Sequence, residues 1–154
     1  MEMSKILASQ AVVPGLNVSS KKRLFLEIAE LAERIYGLDE KKVFEALKAR
    51  EELGPTGMGR GVAIPHARLD ELDEVVGIFI TLEKAVDFDA VDRKPVTLVF
   101  VLLAPTESGA EHLKALARVS RLLRDENMCK KLRANDDAST LYAVLTEQEK
   151  SKAA

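Results

Sequence analysis

Two stretches, Val75–Leu82 and Val96–Leu103, carry little besides Val, Ile, Leu and Phe, broken only by Gly77, Thr81 and Thr97. A strand with one wet face alternates apolar and polar residues; these do not, so both of their faces need cover. That requirement predicts a central sheet with helices packed on each side. Both runs are far shorter than the roughly 20 residues a bilayer crossing needs, so no membrane insertion is expected. Helical spacing supplies the cover. Leu24, Ile28, Leu31, Ala32 and Ile35 form one stripe, stopped by Gly37. Asp39 stands as the N-cap of a second helix bearing Val43, Ala46 and Leu47. Ser108-Gly109-Ala110-Glu111 fits the capping-box pattern ahead of Leu113, Leu116, Ala117, Val119 and Leu123. Asn127–Arg133 and Asp137–Leu145 read as shorter helices. The expected class is therefore α/β, a single domain over residues 1–147 with a central mixed β-sheet covered by helices on both faces. Residues 148–154 are expected to form a frayed or disordered tail.

Length and composition narrow the setting. At 154 residues, with 47% apolar and 31% charged side chains, the chain has enough material for one ordinary core. The single Cys129 excludes an internal disulfide framework and suits a reducing compartment. A formal charge of −2 and only five Phe and two Tyr, with no Trp, argue against nucleic-acid binding through basic grooves and stacked bases. Met1-Glu2-Met3-Ser4-Lys5 lacks a basic segment leading into an unbroken apolar one, so no secretory signal is read and a cytoplasmic location is expected.

The chemistry concentrates around Gly54-Pro55-Thr56-Gly57-Met58-Gly59-Arg60-Gly61. No Gly-Lys-Ser/Thr ending follows, so the nucleotide P-loop is excluded. Gly57, Gly59 and Gly61 are spaced by two and lead into the short strand Val62-Ala63-Ile64, not into a helix, which excludes the dinucleotide fingerprint. Tight-turn glycines would explain the cluster without any chemistry. His66, just past Pro65, is placed where that strand ends and the chain turns. His112, the second of two histidines, lies in the first turn of the third helix, the end whose free N–H groups and dipole favour anions. Arg50 continues the buried stripe of the second helix and needs a partner for its charge. Each has a plain alternative: a satisfied polar histidine, a surface helix residue, an arginine paired with a carboxylate. Together they describe a nucleophilic imidazole beside a glycine loop, a second imidazole at a helix start and an inward guanidinium.

The run Gly54-Pro55-Thr56-Gly57-Met58-Gly59-Arg60-Gly61-Val62-Ala63-Ile64-Pro65-His66 closely resembles the active-site signature of enzyme IIA proteins of the fructose, mannitol and nitrogen-regulatory type, from the bacterial phosphoenolpyruvate-dependent phosphotransferase system. The resemblance spans about Leu38 to Leu145 and includes Phe88-Asp89-Ala90 and Ala104-Pro105. A preceding N-terminal helix and Met128-Cys129-Lys130-Lys131-Leu132-Arg133 make the chain most similar to the nitrogen-regulatory branch. It departs from the usual pattern at Pro55 and Ala67, and Pro55 removes one backbone donor from the loop.

The resemblance implies that His66 is the phosphorylated residue, with His112 and Arg50 supporting it and Thr56, Gly57 and Gly59 helping to hold the phosphoryl group. It implies a histidine-containing phosphocarrier protein as donor and, on the nitrogen branch, regulated partners such as potassium-transport or sensor-kinase proteins. The donor's P–N bond is already activated, so no cofactor is expected. Two histidines without nearby carboxylate or cysteine ligands make a poor metal site, so no metal is expected either. A sugar-specific IIA passing phosphate to a separate IIB protein, or a binding module that never cycles phosphate, are the alternatives. The acidic stretch Asp70-Glu71-Leu72-Asp73-Glu74 reads either as a solvated turn or as a selector of a basic partner.

Overall fold

The computed structural model describes the backbone of residues 1–153 and the side chains of residues 1–147. In chain order the elements are α1 (Met3–Ile6), β1 (Leu7–Leu16), α2 (Lys21–Tyr36), α3 (Glu40–Leu53), β2 (Gly57–Gly59), β3 (Val62–Ala63), β4 (His66–Leu69), β5 (Val76–Val86), β6 (Val96–Pro105), α4 (Ala110–Arg124), α5 (Glu126–Arg133) and α6 (Ala138–Ala153). The expected disordered tail from Gln148 lies outside the residues whose side chains are described.

The two apolar runs form the middle of one mixed sheet, ordered β1-β5-β6-β3-β2 with β4 also paired to β6. β5 and β6 are antiparallel, with Phe79 opposite Phe100. Ile78, Phe79 and Ile80, and every residue from Leu98 to Ala104, are fully buried, so consecutive side chains on opposite faces are all covered. Each such large apolar side chain contributes about 1.5–3 kcal/mol relative to exposure. The helices α2 and α3 pack on each other, while α4, α5, α6 and α1 associate as a second group; α2 and α6 both reach β1. Gly77 is required in β5 because a Cβ there would sit 2.7 Å from the Phe100 ring.

The helix ends follow the expected chemistry with one exception. Gly37 adopts the left-handed conformation (φ 70°) after α2, its N–H bonding to Glu33 O at 2.9 Å. Asp39 caps α3 by accepting from the N–H groups of Lys41 and Lys42. The exception is Ser108, whose expected capping box does not form. Gly109 occupies the N-cap of α4 with φ 50° and no side-chain cap bond, and the buried Ser108 Oγ has no partner. The Glu111 carboxylate turns to Lys114 at 3.7 Å, so no reciprocal pair can close.

Two further differences bear on the site. β1 had no counterpart in the sequence reading: Ser9, Gln10, Pro14 and Gly15 dilute its apolar pattern. It pairs only at the sheet's edge, parallel to β5 with two register shifts, where a proline is tolerated. His66 does not sit where a strand gives way to a turn. β3 and β4 both run parallel to β6 in one register, Val62 opposite Leu98 and His66 opposite Leu102, so His66 opens the second half of an interrupted strand. Pro65 cannot donate to the ladder, but its carbonyl accepts from Leu102 N at 3.0 Å and carries the alignment across.

Candidate functional site

His66 enters the site from a stiff segment. Its Nδ1 lies 2.8 Å from the Ile64 carbonyl, and Arg50 Nε–H donates to its Nε2 at 3.2 Å. These bonds assign one tautomer: a carbonyl can only accept, so Nδ1 carries the proton and Nε2 keeps its lone pair. Arg50 reaches it from the last turn of α3, and its Nη1 donates to Gly54 O at 2.9 Å, which locks the guanidinium plane. His112, third residue of α4 and only 5% exposed, sets its ring edge-on to His66 with centroids 5.6 Å apart and planes at 87°.

Three side chains from elements distant in sequence thus come together, with Arg50 bonded to His66 Nε2 and His112 packed against the His66 ring. The electrostatics agree with that arrangement. Burial, foremost, and then the Arg50 charge pull the His66 pKa below its ordinary value, while the Ile64 carbonyl and the Glu51 carboxylate oppose them. His112 is lowered first by burial, then by His66 and Arg68. Both shifts favour the neutral form of the rings, the form a nitrogen nucleophile would need. His112 Nδ1 is buried without a hydrogen-bond partner, and the first turn of α4 beside it has no side-chain cap.

The glycine-loop residues take other places. The Thr56 hydroxyl donates to Glu51 Oε1 at 2.5 Å and its N–H to Glu51 Oε2 at 3.0 Å, so its proton points at a carboxylate. Gly57 packs where a Cβ would meet Phe88 and Ala90 at 3.0 and 3.2 Å. Gly59 (φ 89°) faces the Asp92 carboxylate, which also accepts from Arg60 N at 2.7 Å. An anion would find a like charge there. Of the sequence candidates, the structure brings His66, Arg50 and His112 together and leaves Thr56, Gly57 and Gly59 in the hairpin that supports them. In the acidic stretch, Asp70 accepts from Thr106 Oγ1 and Glu71 from Asp39 N, so both serve the chain's own loops. Among the described residues no group of three or more His, Cys, Asp or Glu side chains is arranged to hold a metal ion.

Residues 5–148 match the family described as phosphoenolpyruvate-dependent sugar phosphotransferase system, EIIA 2. The chain belongs to that family. It is 49% identical over 145 residues to a nitrogen regulatory protein of Bradyrhizobium diazoefficiens, covering 94% of this chain and 95% of that one. The crystal structure of nitrogen regulatory protein IIA-Ntr from Neisseria meningitidis superposes with a TM-score of 0.88 at 41% identity, over 94% of this chain and 99% of the other. IIA mannitol from Escherichia coli, at 20% identity and a TM-score of 0.77 over 90% and 97% of the two chains, shares the fold. The α/β class with a mixed sheet is the architecture of this EIIA family, and the nitrogen-regulatory resemblance read from the preceding N-terminal helix and residues 128–133 agrees with the relatives' names.

The sequence reading missed Glu51 and Lys21. Glu51 follows the arginine directly, yet it is one of 25 acidic residues and carries no local signal. Only the folded chain shows that it touches the hairpin.

Proposed function

We propose that this EIIA-family protein is a phosphohistidine carrier that accepts a phosphoryl group on His66 Nε2 from the phosphohistidine of a histidine-containing carrier protein. The observation that carries this reading is the pinned tautomer: Nδ1–H held by Ile64 O, with the Nε2 lone pair facing Arg50 and the His112 ring packed at right angles to the His66 ring. In the step, the Nε2 lone pair forms the new P–N bond as the donor's P–N bond breaks, and that electron pair returns to the donor ring nitrogen. The Nδ1 proton stays in place, and the Ile64 carbonyl supports the positive charge the ring acquires. Arg50 loses Nε2 as acceptor at that moment, and its N–H groups turn to the phosphoryl oxygens. Phosphoryl transfer passes through a loose transition state, so alignment and charge neutralisation supply most of the catalysis.

Its output is regulatory, in keeping with the relatives' names: this chain binds target proteins, potassium-transport or sensor-kinase components among them, according to the charge His66 acquires. The relay then works in the cytoplasm, beside its donor. A sugar-transport role, with phosphate passed to a IIB protein, is the second reading, supported by the family's sugar-phosphotransferase description.

Intact mass at mildly basic pH tests the proposal, because phosphohistidine is acid-labile. Incubated with phosphoenolpyruvate, enzyme I and charged carrier protein, the wild type should gain one phosphoryl group and His66→Ala none. An unmodified wild type beside a demonstrably charged carrier would sink the reading for that donor. Subsequent loss of the label to a IIB protein would favour the sugar branch.

A further inference from the structure

We propose that Glu51 is a positioning residue whose carboxylate closes a ring of hydrogen bonds holding Arg50 and His66 in line. The ring can be followed bond by bond. Thr56 donates both its N–H and its hydroxyl to the Glu51 carboxylate. Ile64 N–H donates to Thr56 O at 3.1 Å, and His66 Nδ1–H to Ile64 O at 2.8 Å. Arg50 joins His66 Nε2 to Gly54 O, and Gly54 N–H returns to Glu51 O at 3.2 Å. The acidic residue appears twice, by its main chain at one end and its side chain at the other. Without the carboxylate, the path from the end of α3 to the glycine hairpin opens, and nothing in the ring ties Thr56 to the helix carrying Arg50.

A second set of contacts anchors this carboxylate from outside. Its side chain is only 8% exposed, and Lys21 Nζ lies 3.0 Å from Oε2. Lys21 stands at the start of α2, 5.1 Å above the Phe88 ring and 3.6 Å from Asp89, in the loop against which Gly57 packs. The carboxylate thus accepts three donors through two oxygens. A side chain without polar atoms cannot replace it, because the Thr56 N–H, the Thr56 hydroxyl and the Lys21 ammonium all lose their acceptor together. The charged and titratable groups acting on His66 are Arg50 and Glu51 of α3, and those acting on His112 of α4 are His66 and Arg68 of β4.

The consequence for rate rests on the phosphoryl-acceptor reading; the positioning itself does not. NMR of protein labelled with 15N-histidine reads which His66 nitrogen holds the proton, with or without phosphoryl transfer. Wild type and Thr56→Ser, which keeps the hydroxyl, should show a single Nδ1–H form. Glu51→Leu and Thr56→Val should show mixed tautomers. Their phosphorylation rate at saturating donor should fall about 10- to 100-fold, the scale expected from a misplaced reacting group. The donor concentration at half-saturation should stay within about twofold, since both substituted side chains are buried rather than on the surface. A single Nδ1–H tautomer and wild-type rate in both variants would overturn the inference, even with a lowered Tm. If Glu51→Leu fails to fold, Thr56→Val decides. If the wild type takes up no phosphoryl group, the functional reading falls while the tautomer comparison still judges the positioning.

Discussion

The β5–β6 hairpin and the His66 segment lie side by side in the same sheet but are held by different means. In the hairpin, dozens of weak contacts overlap: Phe79 and Phe100 lie 6.0 Å apart, between neighbours that are themselves fully buried. No single atom there is indispensable, because burial is non-directional and spread over area. At the site, His66 is aligned by one bond on each ring nitrogen, and each partner depends on one further bond. Directional bonds give angular accuracy that packing cannot, but each has no substitute. The hairpin should therefore govern stability, and the ring from Glu51 to His66 should govern geometry.

The largest effect that could break this division is expected from Phe100→Ala. A fully buried phenylalanine lost from a packed sheet costs about 3–5 kcal/mol. Urea unfolding should show that loss, while the His66 tautomer in the folded fraction stays Nδ1–H. A tautomer that changed would mean the two regions are not separable. Arg50→Lys comes next. An ammonium cannot bond His66 and Gly54 in one rigid plane, so phosphoryl transfer should fall about 100-fold with little change in urea midpoint. A drop in stability matching the hairpin variant would blur the comparison.

The smallest expected effect is pH dependence, and its sign follows from the lowered pKa values of His66 and His112. The unfolded chain binds protons at an ordinary histidine pKa near ~6.5, while the native rings resist them. Stability is thus fully present above that pH and declines as the solution is acidified toward the native values. A variant carrying His66→Gln and His112→Gln should flatten this slope between about pH 5 and 7. Asp92 and Asp137, whose pKa values are lowered by hydrogen bonds, lose their contribution only below the ordinary carboxylate range near ~3.9, outside that window. An unflattened slope would assign the acid sensitivity to groups elsewhere.

How legible each region was follows from the same contrast. The hairpin was readable because unbroken Val, Ile, Leu and Phe states double-sided burial without reference to any other part of the chain. Gly37 and Asp39 were readable because their tasks are completed within a few residues. Ser108 had the right spacing and still failed to cap: the chain reaches α4 through Gly109 at φ 50°, which turns the serine away. β1 was hidden because an edge strand needs only one paired side and tolerates the polar residues and proline that disguise it.

Local order, apolar patterning and a long glycine motif are properties of neighbouring residues, so the amino-acid sequence alone determined the α/β class, the covered sheet and His66, Arg50 and His112 as candidates. Which nitrogen of His66 holds the proton, why Thr56 faces a carboxylate, and how Lys21 and Glu51 reach the site were decided by tertiary structure. Those facts depend on bonds such as the one between Lys21 and Glu51, 30 positions apart, whose directions exist only after α2, α3 and the hairpin have packed on the sheet.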